Sequence, residues 1–360
     1  MVGRQPRGVR ASRGLTPPAC YTGGAVSSSS SSSPMLDIPT VLAPIQDDVA
    51  VVGERFKSIL ADVSMHTRDM VDQVGSFTGK RLRPALTIVA ARIAGAGVTP
   101  DVATVAAVVE LIHTATLVHD DILDGASVRR RVATLNARWG EQTAVLAGDV
   151  LFSKAYRAAA YLDDPFASRY LSDCVGEVLE GEIHQDLAAR NPDLSDEEYR
   201  QIIRGKTAAL YEGALRVGAH YGGAEPDLTE ALGRYGHHLG MAFQIVDDRL
   251  DVAGDERRVG KTLGTDLSEG KTTLPVIFWL RSLPEGDRAE AHARLERAWD
   301  DAETGQAVAR AIAESGVIDQ VDAAAREELR LAREAIADVP AGVERTLLEQ
   351  IADYVLRRTR

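Results

Sequence analysis

The chain has 360 residues, of which 45% are hydrophobic and 26% charged, so it is neither disordered throughout nor collagen-like. Its 41 basic against 53 acidic residues give a net charge of −12, which argues against a nucleic-acid-binding protein. Two cysteines, Cys20 and Cys174, are too few for a disulfide framework or a four-ligand zinc site, which favours a reducing compartment. Charges interrupt the longest apolar runs before about 18 residues, so we predict no transmembrane segment.

The first 34 residues differ in composition from the rest of the chain. They contain four arginines, no acidic residue and a serine run from Ser27 to Ser33, without a helical or strand period. We therefore predict a disordered extension over 1–34 and a single domain over 35–360. The extension is an upstream segment or misassigned start with Met35 as the true first residue, an organellar transit peptide, whose composition is similar, or another disordered tail. We expect a cytoplasmic protein in the first case and an organellar one in the second.

From Leu36 onward the composition and the periodicity are those of helices. Alanine, leucine, valine, arginine and glutamate dominate, and alternating strand patterns are scarce. The stretch 102–118 is apolar on nearly every face, as in a helix buried at the centre of a bundle, whereas 287–337 has charges at spacings of three and four. We predict an all-α bundle of about ten or more helices.

Two aspartate clusters carry the strongest functional signal. The first reads DDILD and the second DDRLD, and each follows apolar sequence. In a helix the residues i and i+4 share a face, so the outer aspartates of each cluster point together. Like charges in an apolar setting are costly, and Mg²⁺ resolves this because it binds carboxylate oxygens together with water and substrate phosphates. The predicted metal ligands are Asp120, Asp121, Asp124, Asp247, Asp248 and Asp251.

Basic segments that could bind a diphosphate are interleaved with these clusters. They are GKRLRP over 79–84, three arginines over 129–131, a lysine-threonine pair at 206–207 and a glycine-rich loop over 254–271. The sequence GxxxxGK followed by serine or threonine does not occur, which disfavours a nucleoside triphosphatase.

The ordered motifs GKRLRP, IHTATLVHDDILD, AVLAGDVLF, GEIHQ, KTAALYE, FQIVDDRLD and GKTLGTDLSEGKTTLP resemble the trans-polyprenyl diphosphate synthase family, in particular its long-chain octaprenyl, heptaprenyl and solanesyl members. The resemblance implies an isoprenoid-synthase helical bundle around a central cavity, usually as a homodimer. It also implies about three Mg²⁺ ions, replaceable by Mn²⁺, that polarise the C–O bond of an allylic diphosphate. Isopentenyl diphosphate then adds head to tail, and a long-chain all-trans polyprenyl diphosphate, a quinone side-chain precursor, results. Contact with a membrane surface during product release is a further expectation.

The resemblance also implies the roles of individual residues. Isopentenyl diphosphate would be bound by Lys80, Arg83, His113 and Arg130. The allylic diphosphate would be bound by Arg129, Lys206, Thr207, Gln244, Lys261 and Lys271. Asp120, Asp124, Asp247 and Lys206 would be the catalytic residues.

Product length depends, in the family, on the positions five and four before the first aspartate, which are Ala115 and Thr116. At about 100° per residue, Thr116 lies about 40° and Ala115 about 140° from Asp120, so the helical wheel favours Thr116 whereas the resemblance favours Ala115. An aromatic ring about 7 Å below the metals would block the growing tail, and its absence predicts a product of roughly C30–C50.

Four alternatives stay open at this point. A short-chain geranylgeranyl or farnesyl diphosphate synthase would share all these motifs. A non-catalytic subunit of a heteromeric synthase usually lacks one or both aspartate clusters, and a terpene cyclase or head-to-head enzyme typically lacks the second cluster and GKRLRP. A helical bundle that only binds metal would have no use for the glycine-rich loop.

Overall fold

A computed structural model describes residues 37–75, 79–129, 132–254 and 263–358. The predicted extension over 1–34, together with Arg130 and Lys261, lies outside these described residues. The helices are α1 (Ile38–Leu42), α2 (Gln46–Ala61), α3 (Met65–Gly75), α4 (Leu82–Ile93), α5 (Pro100–Leu123), α6 (Leu135–Trp139), α7 (Glu141–Ala160), α8 (Phe166–Leu187), α9 (Asp196–Ile203), α10 (Ala209–Tyr221), α11 (Pro226–Ala253), α12 (Thr265–Ser268), α13 (Leu274–Ser282), α14 (Glu285–Ala298), α15 (Ala302–Glu314), α16 (Ile318–Ala335) and α17 (Val343–Arg357).

Short irregular elements complete the described part of the chain. A 3₁₀ turn at Ala43–Ile45 joins α1 to α2, and a π-helical turn at Arg204–Ala208 joins α9 to α10. Two short antiparallel strands, β1 (Val128–Arg129) and β2 (Val132–Ala133), follow α5. The prediction of an all-α bundle is confirmed, since this two-residue hairpin is the only sheet among the described residues.

The helix α5 forms the centre of the bundle. The Thr99 side chain caps it by accepting a hydrogen bond from the amide of Val102, and Pro100 occupies its first turn, where a missing N–H costs nothing. Because the stretch 102–118 is apolar all round, most of α5 is buried against neighbouring helices.

By length and hydropathy alone α5 could cross a membrane, although Glu110 interrupts its apolar run. However, 72% of its apolar window is buried inside the protein, as in the core helix of a globular fold.

Two large apolar clusters hold the helices together. One joins α5, α7, α8 and α10, and the other joins α4, α10, α11, α16 and α17. The helix α10 contributes to both and packs between α4 and α11. The carboxyl-terminal halves of α5 and α11, which carry the aspartate clusters, are thereby held around one cavity.

Candidate active site

A cavity of about 470 Å³ lies between α5, α8, α9 and α11. Both aspartate clusters open into it, because the i and i+4 residues of each helix share the face turned toward the cavity. The aspartates that line it are Asp120, Asp124, Asp247, Asp248 and Asp251.

Asp120 lies in an environment that is unfavourable for a charge. Burial raises its pKa to about 6; Glu182 and Asp124 add to the rise, whereas Lys206 and Arg129 oppose it. Within the described ranges no side chain forms a hydrogen bond or an ion pair with this carboxylate. A cation bound in the cavity would relieve this cost.

Basic side chains of the site are paired with its acidic ones. Lys271 Nζ lies 3.1 Å from Asp124 Oδ1 and 2.5 Å from Glu269 Oε2. Burial alone lowers the pKa of Lys271, but the surrounding carboxylates raise it above its usual value, so this lysine stays charged. Two further ion pairs are Arg129 Nε to Asp121 Oδ1 at 2.6 Å and Arg358 Nη2 to Asp247 Oδ1 at 2.8 Å.

The second residue of each aspartate pair is more deeply buried than its neighbours. The Asp121 side chain is 4% exposed and does not line the cavity, while its partner Arg129 does. Asp248 is also 4% exposed, whereas the side chain of adjacent Asp247 is 51% exposed. Neighbouring residues of a helix point about 100° apart, so one can face the cavity while the next packs inside.

Asp248 is held by two hydrogen bonds from within the protein. Tyr199 Oη donates to Oδ2 and Gln244 Nε2 donates to Oδ1, both at 2.7 Å. Burial raises the pKa of Asp248 to about 7, although these two hydrogen bonds act in the opposite direction. Thr207 Oγ1 in turn donates to Gln244 Oε1 at 2.7 Å, so the side chains form one continuous chain.

Asp251 holds the beginning of α12. Its carboxylate accepts hydrogen bonds from the amides of Thr265 at 3.2 Å and Asp266 at 3.1 Å, the first residues of α12. The segment after α12 then brings Lys271 across to the first cluster.

The π-helical turn presents Lys206 and Thr207 to the cavity. Such turns are rare and occur frequently at functional sites. The Lys206 ammonium lies 2.7 Å from Glu182 Oε2 on α8, and both side chains line the cavity. Gly205, which the sequence marks as a helix breaker, packs backbone to backbone against Gly181 of α8.

Two further basic side chains belong to the cavity wall. Arg83 and His113 line it, and the Arg83 guanidinium lies 4.4 Å from the centre of the Tyr211 ring. Arg83 Nε is buried without a hydrogen-bond partner in the described structure, as expected for a group that awaits an anion. Lys80 lies over the Tyr354 ring at 5.3 Å and is not among the residues that line the cavity.

The two predicted length-determining residues lie in different environments. Thr116 lines the cavity, and its hydroxyl donates to the carbonyl of His113 at 2.8 Å. Ala115 does not line this cavity; it is fully buried in the apolar cluster that α5 shares with α7, α8 and α10. Of the two, only Thr116, which the helical wheel favours, lines this cavity; which residue sets product length stays a prediction.

Sequence reasoning missed some of the cavity residues. Glu182 belongs to the GEIHQ motif, but the sequence alone indicates no role for it. Tyr199 lies in an acidic, amphipathic helix without any motif. Arg358 reaches Asp247 from 111 residues away along the chain, which no local pattern indicates.

Comparison with known proteins agrees with this architecture. The sequence profile of the polyprenyl synthetase family matches residues 65–313. The chain is 34% identical over 318 residues to an all-trans-nonaprenyl-diphosphate synthase (geranyl-diphosphate specific) of Rhodobacter capsulatus, covering 88% of this chain and 97% of that one. It is 36% identical to a nonaprenyl diphosphate synthase of Mycobacterium tuberculosis, covering 88% and 94%.

A solved structure of a decaprenyl diphosphate synthase from Rhodobacter capsulatus superposes with a TM-score of 0.82 at 34% identity, covering 90% of this chain and all of that one. The predicted isoprenoid-synthase fold is therefore confirmed. The matched residues include both aspartate clusters and the helices around the cavity, so the chain belongs to the polyprenyl synthetase family.

Proposed function

We propose that the protein is a trans-prenyltransferase that joins isopentenyl diphosphate head to tail to an allylic diphosphate and makes a long-chain all-trans polyprenyl diphosphate. The observation that carries the proposal is the placement of two aspartate clusters and several basic side chains around one cavity. Both clusters are intact, which disfavours a non-catalytic subunit.

The carboxylates of this cavity fit Mg²⁺. Asp120 in the last turn of α5, Asp124 directly after α5 and Asp247 on α11 carry carboxylate oxygens and line the cavity. Among the described residues, no three acidic, histidine or cysteine side chains are gathered into a ready-made metal site. This arrangement suits Mg²⁺, which typically binds one or two carboxylates and completes its shell with water and phosphate oxygens. When bound, the metal would supply charge stabilisation of the departing diphosphate.

The protein's own side chains bind and orient the two substrates. Arg83 and His113 would bind one diphosphate, and Lys206, Arg129 and Lys271 would bind the other; all five side chains line the cavity. Apolar side chains such as Leu117 and Ile203 also line the cavity and exclude water from the reacting carbons. Catalysis then rests on positioning and on fixed charges rather than on a nucleophilic residue.

A direct assay tests the proposal. Purified protein with Mg²⁺ and radiolabelled isopentenyl diphosphate is given primers of five, ten, fifteen or twenty carbons, and the products are separated by chromatography. Asp120→Asn and Asp247→Asn should each lower turnover by at least about a hundredfold. Asp101→Asn on α5 and Asp227→Asn on α11 remove exposed acids from the same two helices and serve as matched controls. The proposal fails if no primer is elongated, or if turnover is unchanged in excess EDTA.

Product length is the finer part of the proposal. The small residues Ala115 and Thr116 favour a long product, since no aromatic ring stands at either position of α5. Relatives named octaprenyl, nonaprenyl and decaprenyl diphosphate synthases support this assignment. A geranylgeranyl diphosphate synthase of Methanosarcina mazei at 36% identity keeps the short-chain alternative as the second candidate. Chromatography of the products in the same assay separates the two.

We further propose that two copies associate through α7 and α8. On α8, Leu179, Ile183 and Leu187 are spaced at i, i+4 and i+8 and are 45%, 59% and 80% exposed, and Leu146 of α7 is 59% exposed. An apolar stripe of this kind is typical of an interface. Size-exclusion chromatography with light scattering should give a dimer that Ile183→Lys weakens. Met65→Lys, a change at an exposed apolar residue of α3, is the control.

A further inference from the structure

Two neighbouring aspartates of the second cluster, Asp247 and Asp248, have opposite environments. Asp247 lines the cavity with half of its side chain exposed and is paired with the buried Arg358 guanidinium. Asp248 is 4% exposed and is hydrogen bonded by a tyrosine and an amide of the protein itself. We propose that Asp248 and Tyr199 are positioning residues, which orient Gln244 and Thr207, and that Asp248 is not a metal ligand.

Both oxygens of the Asp248 carboxylate already have hydrogen-bond partners within the protein. Each oxygen accepts a hydrogen bond of 2.7 Å, Oδ2 from Tyr199 and Oδ1 from Gln244. Leaving either donor unsatisfied in this buried place would cost free energy, because a buried polar group without a partner loses its solvation. A metal ion at Asp248 would have to displace these donors, whereas the Asp247 carboxylate is half exposed to the cavity and is paired through Oδ1 with Arg358.

The hydrogen bonds continue beyond Asp248, through Gln244 to Thr207, in a defined direction. The Gln244 amide donates to Asp248 and accepts from the Thr207 hydroxyl, so its two ends are distinguished by their partners. The chain from Tyr199 to Thr207 thereby connects α9, α11 and the π-helical turn that carries Lys206. Asp248 is the acceptor in the middle of this chain, and removing it leaves the Gln244 amide free to rotate.

The first cluster shows the same division. Asp121, the second residue of DDILD, is also 4% exposed and is hydrogen bonded to Arg129, while Asp120 and Asp124 face the cavity. In both clusters the position next to the first aspartate is therefore buried and hydrogen bonded within the protein, although Asp248, unlike Asp121, also lines the cavity.

An isosteric substitution separates the two roles. Asn at position 248 removes the charge that a metal needs but can accept from Gln244 with its oxygen and donate to the Tyr199 hydroxyl with its amide. Ala at the same position removes both hydrogen bonds. A metal ligand should be damaged alike by both changes, whereas a positioning residue should tolerate Asn much better than Ala.

The experiment is a titration of the full-length chain with Mn²⁺ in the presence of inorganic pyrophosphate, followed by electron paramagnetic resonance. This inference rests on the proposed function, so Asp247→Asn is included as a reference. We expect Asp248→Asn and Tyr199→Phe to bind as many Mn²⁺ ions as the wild type, with affinities within about threefold, and Asp247→Asn to lose an ion or about tenfold in affinity.

Turnover and the melting temperature of the metal-free chain complete the test. Asp248→Asn should keep turnover within about tenfold of the wild type, while Asp248→Ala should lose about a hundredfold and melt several degrees lower. Asp247→Asn should melt close to the wild type. Tyr199→Phe removes a single hydroxyl and should raise the KM for the allylic substrate. This variant keeps the proposal testable if Asp248→Ala does not fold.

Loss of Mn²⁺ by Asp248→Asn to the same extent as by Asp247→Asn would overturn the inference and leave the proposed function standing. Equal turnover of Asp248→Asn and Asp248→Ala would overturn it as well. If the wild type binds no Mn²⁺ with pyrophosphate, the proposed function fails and the inference fails with it.

Discussion

The contact between Gly181 and Gly205 gives a sharp test of how Lys206 is positioned. At this point α8 and the π-helical turn meet backbone to backbone. A Cβ added at Gly181 would lie 2.9 Å from the carbonyl carbon of Gly205 and closer still to the amide nitrogen of Lys206. The helix α8 and the π-helical turn would have to move apart by about 0.5 Å before this Cβ reached about 3.4 Å from the carbonyl carbon of Gly205. They would have to move further apart to relieve the contact with the Lys206 nitrogen.

We expect Gly181→Ala to impair both stability and turnover. Overpacking of this kind typically costs 1–3 kcal/mol, a range that applies because backbone atoms rather than a flexible side chain must yield. A displacement of about 1 Å of a group that binds the reacting substrate can cost about a hundredfold in rate. Lys206 would move relative to Glu182, with which it is paired at 2.7 Å.

Gly176→Ala is the matched control on the same helix. A Cβ at Gly176 meets no atom within 4 Å, so the substitution adds only helix propensity, worth about 0.5–1 kcal/mol. Steady-state turnover at saturating allylic diphosphate and thermal denaturation are measured for both variants. Gly181→Ala should be about a hundredfold slower and melt lower, whereas Gly176→Ala should match the wild type or melt higher. Turnover of Gly181→Ala within about twofold of the wild type would refute the reasoning, because Lys206 would then not depend on this contact.

Three further predictions concern pH, the amino-terminal segment and product length. Burial raises the pKa of Asp120 to about 6, so the metal-free folded chain holds a proton that the unfolded chain releases between about pH 4 and 6. The free energy of unfolding should fall as pH rises through that window, and Mn²⁺ binding should weaken below about pH 6. A calorimetric titration in which Asp120→Asn keeps the pH dependence of the wild type would contradict this. A chain that starts at Met35 should match the full chain in melting temperature and turnover, and a large loss of either would show that residues 1–34 dock. Thr116→Phe should shorten the products seen by chromatography more than Ala115→Phe does, and an unchanged distribution in both would remove α5 as the floor of the cavity.

The sequence was sufficient to predict the helices and the faces on which the chemistry lies. The apolar stretch 102–118 predicted a buried central helix, and α5 is that helix. The i and i+4 spacing predicted that Asp120 and Asp124 point together, and both line the cavity. These features depend on the local geometry of a helix, which the order of residues determines directly.

Features that depend on tertiary packing were not predictable. Helical spacing gives angles between side chains but not the rotation of the whole helix against its neighbours, so the burial of Asp121 and Asp248 required the structure. Arg358 meets Asp247 only because α17 packs beside α11. Gly205 was recognised as a helix breaker, yet only its contact with Gly181 explains why a side chain is excluded there.

The ion pairs of the site connect metal binding with diphosphate binding. Lys271, which the family resemblance assigns to the allylic diphosphate, is paired with Asp124, a predicted metal ligand. A metal on Asp124 would release the ammonium of Lys271 toward a phosphate, and a phosphate on Lys271 would release the carboxylate toward a metal. Because each partner frees the binding group of the other, the two ligands must favour one another by the same factor. Asp124 and Lys271 therefore form an exchangeable pair, in which each compensates the charge of the other until the metal and the diphosphate bind.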